Sequence, residues 1–204
     1  MSLVRLYLVR HGVTDWNEQD RVQGHTPTSL NETGRRQADL LGRFFARCPL
    51  GAVWASDLPR AYETAEHIAA PHGLAVRRLG SLRERNLGPF EGLTGEEVRA
   101  ALKGKGRPRG DLSWYEVEGV EQDEEVLARV WPVLEEARGL EGEAVLVTHG
   151  GVQKAVLFRI LGLPSDARRA FALGNGLVVA LVPRDEGWFI EGIFGLEAIG
   201  RLLS

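Results

Sequence analysis

Residues 3–9 read Leu-Val-Arg-Leu-Tyr-Leu-Val, an apolar run interrupted only by Arg5. A strand with one wet face alternates apolar and polar residues; this run does not. It reads as a strand buried on both sides, and such strands belong to parallel sheets covered by helices on both faces. Residues 144–148, Ala-Val-Leu-Val-Thr, repeat the pattern. Stretches of helical period separate the apolar runs, the signature of βαβ units. The expected fold is therefore α/β: a three-layer α/β/α sandwich with a mostly parallel central sheet.

The remaining elements follow from caps and periods. Strands are expected over 52–55, 74–79, 176–183 and 188–194, the last two as a hairpin turning at 184–187. Helices are expected over 31–46, 56–70, 94–102, 123–138 and 151–161. Asn31 is placed to cap the first of these, Pro59 falls in the opening turn of the second, and Thr94 with Glu97 forms a capping box on the third. No linker divides the 204 residues, so one domain spans 1–204.

Composition narrows the function classes. Acids number 28 and bases 25, a net charge of −3 that provides no basic face for nucleic acid. No run approaches the ~18 apolar residues of a membrane span. One cysteine, Cys48, cannot close an intramolecular disulfide. The expectation is a cytoplasmic protein that binds neither nucleic acid nor membrane. Only Lys103, Lys105 and Lys154 among the basic residues are lysines; the rest are arginines, planar forks suited to carboxylates and phosphates.

Two strands end in the same way. The first runs out at Val9-Arg10-His11-Gly12, the later one at Val147-Thr148-His149-Gly150-Gly151. In open parallel sheets ligands bind at the carboxyl ends of strands. A glycine after each histidine permits a sharp turn and close approach of a ligand. The helix starting beyond Gly150 presents its amino end to an anion. Metal chemistry lacks its motif: there is no His-Glu-x-x-His, and His67 and His72 stand five residues apart, poorly placed to share a helix face. The serine-hydrolase elbow and the phosphate-binding P-loop are absent too. Arginine beside histidine at a strand end points to phosphate, with Arg10 clamping the anion and His11 attacking phosphorus.

These blocks together resemble the histidine phosphatase superfamily, the phosphoglycerate-mutase-like proteins. Arg10-His11-Gly12 resembles its first motif. Thr14-Asp15-Trp16-Asn17 with Arg21-Val22-Gln23-Gly24 resembles its phosphate-pocket loop. Ser56-Asp57-Leu58-Pro59-Arg60 through Thr64 resembles its second-arginine motif. Leu82-Arg83-Glu84 followed by Gly88-Pro89-Phe90-Glu91-Gly92 resembles its acid motif. His149-Gly150-Gly151 is similar to its second histidine motif, and Asn175 also fits.

The resemblance implies roles. His11 is the nucleophile that becomes a phosphohistidine. Glu84 is the proton donor to the leaving alcohol, then the base for water. Arg10, Arg60 and His149 hold the phosphate oxygens, completed by Asn17, Gln23, Gly24 and Gly150. Glu91 is left structural, and Trp54 and Trp131 are assigned to the core. No metal and no cofactor are expected, since the arginines and histidines already supply positive charge. The implied partner is a small-molecule phosphomonoester; a homodimer is left open.

Within the family the chain resembles the phosphatases more than the 2,3-bisphosphoglycerate-dependent mutases. Its pocket loop reads Gly12-Val13-Thr14-Asp15, its stretch between Glu84 and His149 is short, and it lacks the mutase arginine pair with an adjacent tyrosine. A mutase is the alternative and a non-catalytic phosphate-binding relative the remote one. An irregular insert at about 86–122 is expected over the active site. It carries a basic stretch, Lys103, Lys105, Arg107 and Arg109, weighed as a lid against a solvated loop, with Trp114 and Tyr115 beyond it. His25, in a loop that departs from the family pattern, reads as an exposed residue.

Overall fold

The computed structural model describes residues 3–103, 117–164, 167 and 171–203. The elements run β1 (Leu3–Arg10), α1 (Asp15–Glu18), α2 (Glu32–Phe45), β2 (Leu50–Ala55), α3 (Pro59–Ala69), β3 (Val76–Arg78), α4 (Gly95–Lys103), α5 (Asp123–Ala137), β4 (Gly142–Thr148), α6 (Gly150–Leu161), β5 (Val178–Arg184), β6 (Gly187–Phe194) and α7 (Leu196–Leu203). They form one six-stranded sheet of order β3-β2-β4-β1-β5-β6. β1 pairs in parallel with β4, β4 with β2, and β2 with β3. β5 runs antiparallel to both β1 and β6.

The continuous apolar runs are explained by two cores, one on each face. Leu6, Leu8, Ala144 and Leu146 point to α5 and α6, meeting Val130, Leu134, Val152 and Val156. Their neighbours Tyr7, Val9, Val145 and Val147 point the other way, to Leu41 and Phe45 of α2, Ala65 and Ile68 of α3, and Ile199 of α7. Each fully buried leucine contributes about 1.5–3 kcal/mol relative to exposure. Both residue parities of β1 are thereby useful, and no alternation survives. Trp54 is buried in the first cluster and Trp131 packs against it.

Local chemistry sets the ends as expected in three places. The Asn31 side chain accepts from the Gly34 amide at 2.9 Å, Pro59 opens α3, and Thr94 and Glu97 bond reciprocally at 3.2 and 2.7 Å. α3 starts three residues later than expected, because the chain bends at Asp57 and Leu58, where the Ser56 hydroxyl accepts the Leu58 amide at 3.3 Å. The third strand is shorter, Val76–Arg78. α7 was not anticipated from the sequence. Its amphipathic spacing of Leu196, Ile199 and Leu203 packs it beside α2. Residues 104–116, with Lys105, Arg107, Arg109, Trp114 and Tyr115, lie outside the described residues, as does the Lys103 side chain. No helix among the described residues is long and apolar enough to cross a membrane.

Candidate active site

Chain order and sheet order together place the site. After β1 the chain crosses to β2 and β3, returns to β4 beside β1, then leaves to β5 on the other side. The β1/β4 boundary is where the direction of winding reverses, the usual ligand crevice of such sheets. Arg10 and Thr148 are register partners across this boundary. The next residue on each strand is a histidine, so His11 and His149 stand side by side. Their ring centroids are 5.1 Å apart, edge to face at 61°. Both rings are buried, 2% and 0% exposed.

The proton on His11 can be located. Nδ1 lies 2.6 Å from the Gly12 carbonyl, which only accepts, so Nδ1 donates. Nε2 is then a lone pair facing inward, and Arg60 Nε donates to it at 3.3 Å. Burial, then the charges of Arg60 and Arg10, hold the His11 pKa well below the usual histidine value. His149 is lowered in the same way, by burial first and by Arg60 next. Its two ring nitrogens are buried and without a partner among the described residues.

Arg60 is fully buried on α3. Its remaining donors go to the Thr26 carbonyl and the Gly24 carbonyl, each at 2.8 Å, and to Thr28 Oγ1 at 3.2 Å. Burial lowers its pKa to about 10, so it remains a cation at neutral pH. One turn along α3, Thr64 Oγ1 accepts the Gly12 amide at 3.1 Å, tying this helix to the loop that follows His11. Arg10 donates to the Leu173 carbonyl, and its Nε is buried without a partner. Burial lowers its pKa also, opposed by Glu84.

The glycines after the histidines serve packing rather than turning. Neither Gly12, Gly150 nor Gly151 has positive φ. A Cβ on Gly12 would lie 2.5 Å from the Gly34 carbonyl oxygen, and one on Gly151 would lie 2.3 Å from Glu84 Oε1. The amino end of α6 does hold an anion. The anion it holds here is the Glu84 carboxylate, whose Oε2 accepts the Gly151 amide at 3.0 Å while Oε1 accepts the Arg85 amide at 2.7 Å.

Asn17, the third residue of α1, completes that helix's capping box with Thr14. Its Oδ1 accepts from the Thr14 amide at 3.1 Å and from Asn175 Nδ2 at 3.2 Å, and Asn175 also donates to the His11 and Gly12 carbonyls. Gln23 Oε1 accepts from Thr28 and from Thr14, at 3.0 Å for the latter. Gly24, at φ +50°, turns its carbonyl to Arg60. His11, His149, Arg10, Arg60, Asn17, Gln23, Gly24, Glu84 and Gly150 therefore all lie on elements and loops that converge at the β1/β4 ends.

Sequence reasoning passed over the residues that support this set. His25 is half-buried rather than exposed, with Nε2 2.7 Å from the Glu84 carbonyl. Arg129 of α5 donates to the same carbonyl at 3.0 Å and to Glu121 at 2.6 and 2.8 Å. Glu91 accepts the His25 and Thr26 amides at 2.9 and 3.1 Å, the Thr26 hydroxyl at 3.0 Å and the Leu87 amide at 3.2 Å. Its structural assignment stands, and its partners are 4 to 66 residues away in sequence. No local pattern signals such distant pairs. Among the described residues, no three His, Cys, Asp or Glu side chains are grouped to hold a metal ion.

Comparison with known proteins agrees with this arrangement. The family model for the histidine phosphatase superfamily (branch 1) matches residues 6–194. The glucosyl-3-phosphoglycerate phosphatase of Mycobacterium tuberculosis is 39% identical over 179 residues, covering 80% of this chain and 78% of that protein. A protein of Photorhabdus laumondii named "Probable phosphoglycerate mutase GpmB" is 32% identical over 198 residues, covering 93% and 90%. Among solved structures, the mycobacterial glucosyl-3-phosphoglycerate phosphatase in complex with VO3 superposes with a TM-score of 0.81 at 33% identity, covering 92% of this chain and 97% of that one. With its two histidines meeting at the β1/β4 boundary and the match running through nearly every element, this chain belongs to the histidine phosphatase superfamily, branch 1.

Proposed function

We propose that this protein is a metal-independent phosphomonoester hydrolase that passes the phosphoryl group through His11. The observation that carries the reading is the state of that ring. It is neutral, with Nδ1 committed to the Gly12 carbonyl and the Nε2 lone pair directed at a buried arginine. In the first half-reaction Nε2 forms a bond to phosphorus while the bond to the ester oxygen breaks, and Glu84 delivers a proton to the departing alkoxide. In the second, Glu84 takes a proton from water, whose oxygen bonds to phosphorus as the N–P bond breaks. Inorganic phosphate leaves and the ring is restored.

Arg10, Arg60 and the unpartnered nitrogens of His149 are the groups assigned to the equatorial oxygens, where charge must be met during in-line transfer. Two guanidiniums, Arg60 buried and Arg10 half-buried, supply the positive charge that a metal ion supplies elsewhere, so no metal or cofactor is required by the proposal. Asn17 and the Gln23-Gly24 loop border the phosphate in this reading. The relatives at 39% identity are named as phosphatases, which favours water over a sugar acid as the final acceptor. The proposed place of action is the cytoplasm, where the single thiol of Cys48 stays reduced.

The test is phosphate release from a panel of phosphomonoesters in EDTA, including 3-phosphoglycerate and p-nitrophenyl phosphate, with His11→Ala alongside. Release in the wild type that disappears in the variant is the expected result. Conversion of 3- to 2-phosphoglycerate that depends on 2,3-bisphosphoglycerate, without phosphate release, would identify a mutase instead.

A further inference from the structure

Beside the histidines lies a cavity of about 230 Å³ whose lining includes Arg10, Glu84, Leu87, Gly151, Lys154 and Leu173. Lys154 stands on α6, four residues after Gly150 and three after Gly151, and so on the same helix face. It is half-buried, and among the described residues it makes no hydrogen bond or ion pair.

The other charged groups of the cavity are engaged. Arg10 donates to the Leu173 carbonyl, and Arg85 is bound to the Glu121 carbonyl and to Asp123. Both oxygens of Glu84 accept backbone amides. Among the described residues of this wall, Lys154 is thus a cation with no hydrogen bond or ion pair. Burial first and the charge of Arg10 next lower its pKa, while Glu84, already bonded to two backbone amides, opposes them. Removing a charge from water without a partner is costly unless a ligand provides one.

We propose that Lys154 is a specificity-determining residue that receives a carboxylate carried by the substrate on the far side of the scissile bond from phosphorus. This rests on the reading above. With phosphate at Arg10 and the departing oxygen at Glu84, the carbon chain of the substrate passes into this cavity. Leu87 and Leu173 face its carbons and Lys154 its far end. A single compact ammonium, with Glu84 nearby, suits a monoanion better than a second phosphate dianion. The substrate class is the phosphate ester of a short hydroxy acid.

The experiment compares 3-phosphoglycerate with glycerol 1-phosphate, which has the same skeleton with CH2OH in place of the carboxylate, and with glycerol 1,3-bisphosphate. The wild type is expected to prefer 3-phosphoglycerate by at least about tenfold in kcat/KM, the value of one charge-assisted hydrogen bond. Lys154→Met should abolish that preference, chiefly through KM, and Lys154→Arg should retain most of it. Three results would overturn the assignment: no preference in the wild type, an equal loss on both monoesters in Lys154→Met, or a preference for the bisphosphate. Release from p-nitrophenyl phosphate but from none of the three would overturn the assignment alone; a wild type inactive on p-nitrophenyl phosphate as well, matching His11→Ala, would remove the phosphatase reading on which it rests.

Discussion

The two walls of the pocket are built by different physics. One wall, Arg10-His11-Gly12 and Thr148-His149-Gly150, is set by sheet register. The backbone of β1 and β4 positions it, and hydrophobic cores on both faces hold those strands. The other wall, residues 23–28 with Glu84 and Glu91, contains no regular strand. It is held by charged side chains that bond to backbone groups, chiefly Arg60 and Glu91. The first wall distributes its stability over many apolar contacts. The second concentrates it in a few buried polar groups, each expensive to leave unpaired. The proposed nucleophile and two of the proposed phosphate ligands, Arg10 and His149, sit on the first wall; the proposed acid, Glu84, and the loop that seats Arg60 sit on the second.

That contrast can be broken most forcefully at Arg60, which belongs to both walls. Arg60→Ala removes the Nε contact to His11 and strands the Gly24 and Thr26 carbonyls. Steady-state kinetics should show kcat/KM falling by about 10²–10³, the range for loss of one preorganised charge-stabilising donor. A loss below about tenfold would mean that the loop positions itself.

Gly151→Ala places a methyl against Glu84 Oε1 and shifts the proposed acid without removing it. A loss of about 10² in kcat is expected, within the range for general acid catalysis. The loss should be smaller for esters with acidic leaving groups such as p-nitrophenyl phosphate, which need little protonation. Equal losses on all esters would remove Glu84 from the proton-donor role.

Glu91→Gln tests the polar wall alone. It leaves acceptor capacity for only some of the four donors, so the expected cost is about 1–3 kcal/mol by chemical denaturation and about tenfold in kcat/KM. Leu8→Ala, in the apolar wall's support, should cost about 2–5 kcal/mol of stability while the folded fraction keeps its kcat. If the two variants behaved alike in both readouts, the two walls would not differ as argued.

The smallest effect concerns pH. His11 and His149 are both lowered by burial and by Arg60, so the unfolded chain binds more protons than the native one below the ordinary histidine value. Stability is full above about pH 6.5 and falls as the pH drops from there. The melting temperature should decline between about pH 7 and about pH 5, and His149→Gln should flatten that decline. An unchanged slope in the variant would place the acid sensitivity elsewhere.

The same contrast explains what the sequence disclosed. The apolar wall is periodic and local: runs at 3–9 and 144–148, a cap at Asn31, Pro59 at the head of a helix, and two His-Gly ends. All of these appear in the structure because they depend on near neighbours in the chain. α7 was missed although Leu196, Ile199 and Leu203 carry its spacing, because the last strand was read as the end of the fold. The polar wall was partly hidden. Nothing near Glu91 indicates that it will bond to residues 25 and 26, and nothing near Arg129 points to the Glu84 carbonyl. His25, read as exposed, was misjudged for the same reason: its partner is 59 residues away.

The central claim is that His11 accepts the phosphoryl group, and it can be tested by rapid-quench trapping with 32P-labelled substrate, followed by peptide mapping. The account predicts an alkali-stable, acid-labile phosphohistidine on the peptide containing His11, formed and consumed at rates compatible with turnover and absent in His11→Ala. Label on His149 or on another residue, or phosphate release that proceeds in His11→Ala, would contradict it.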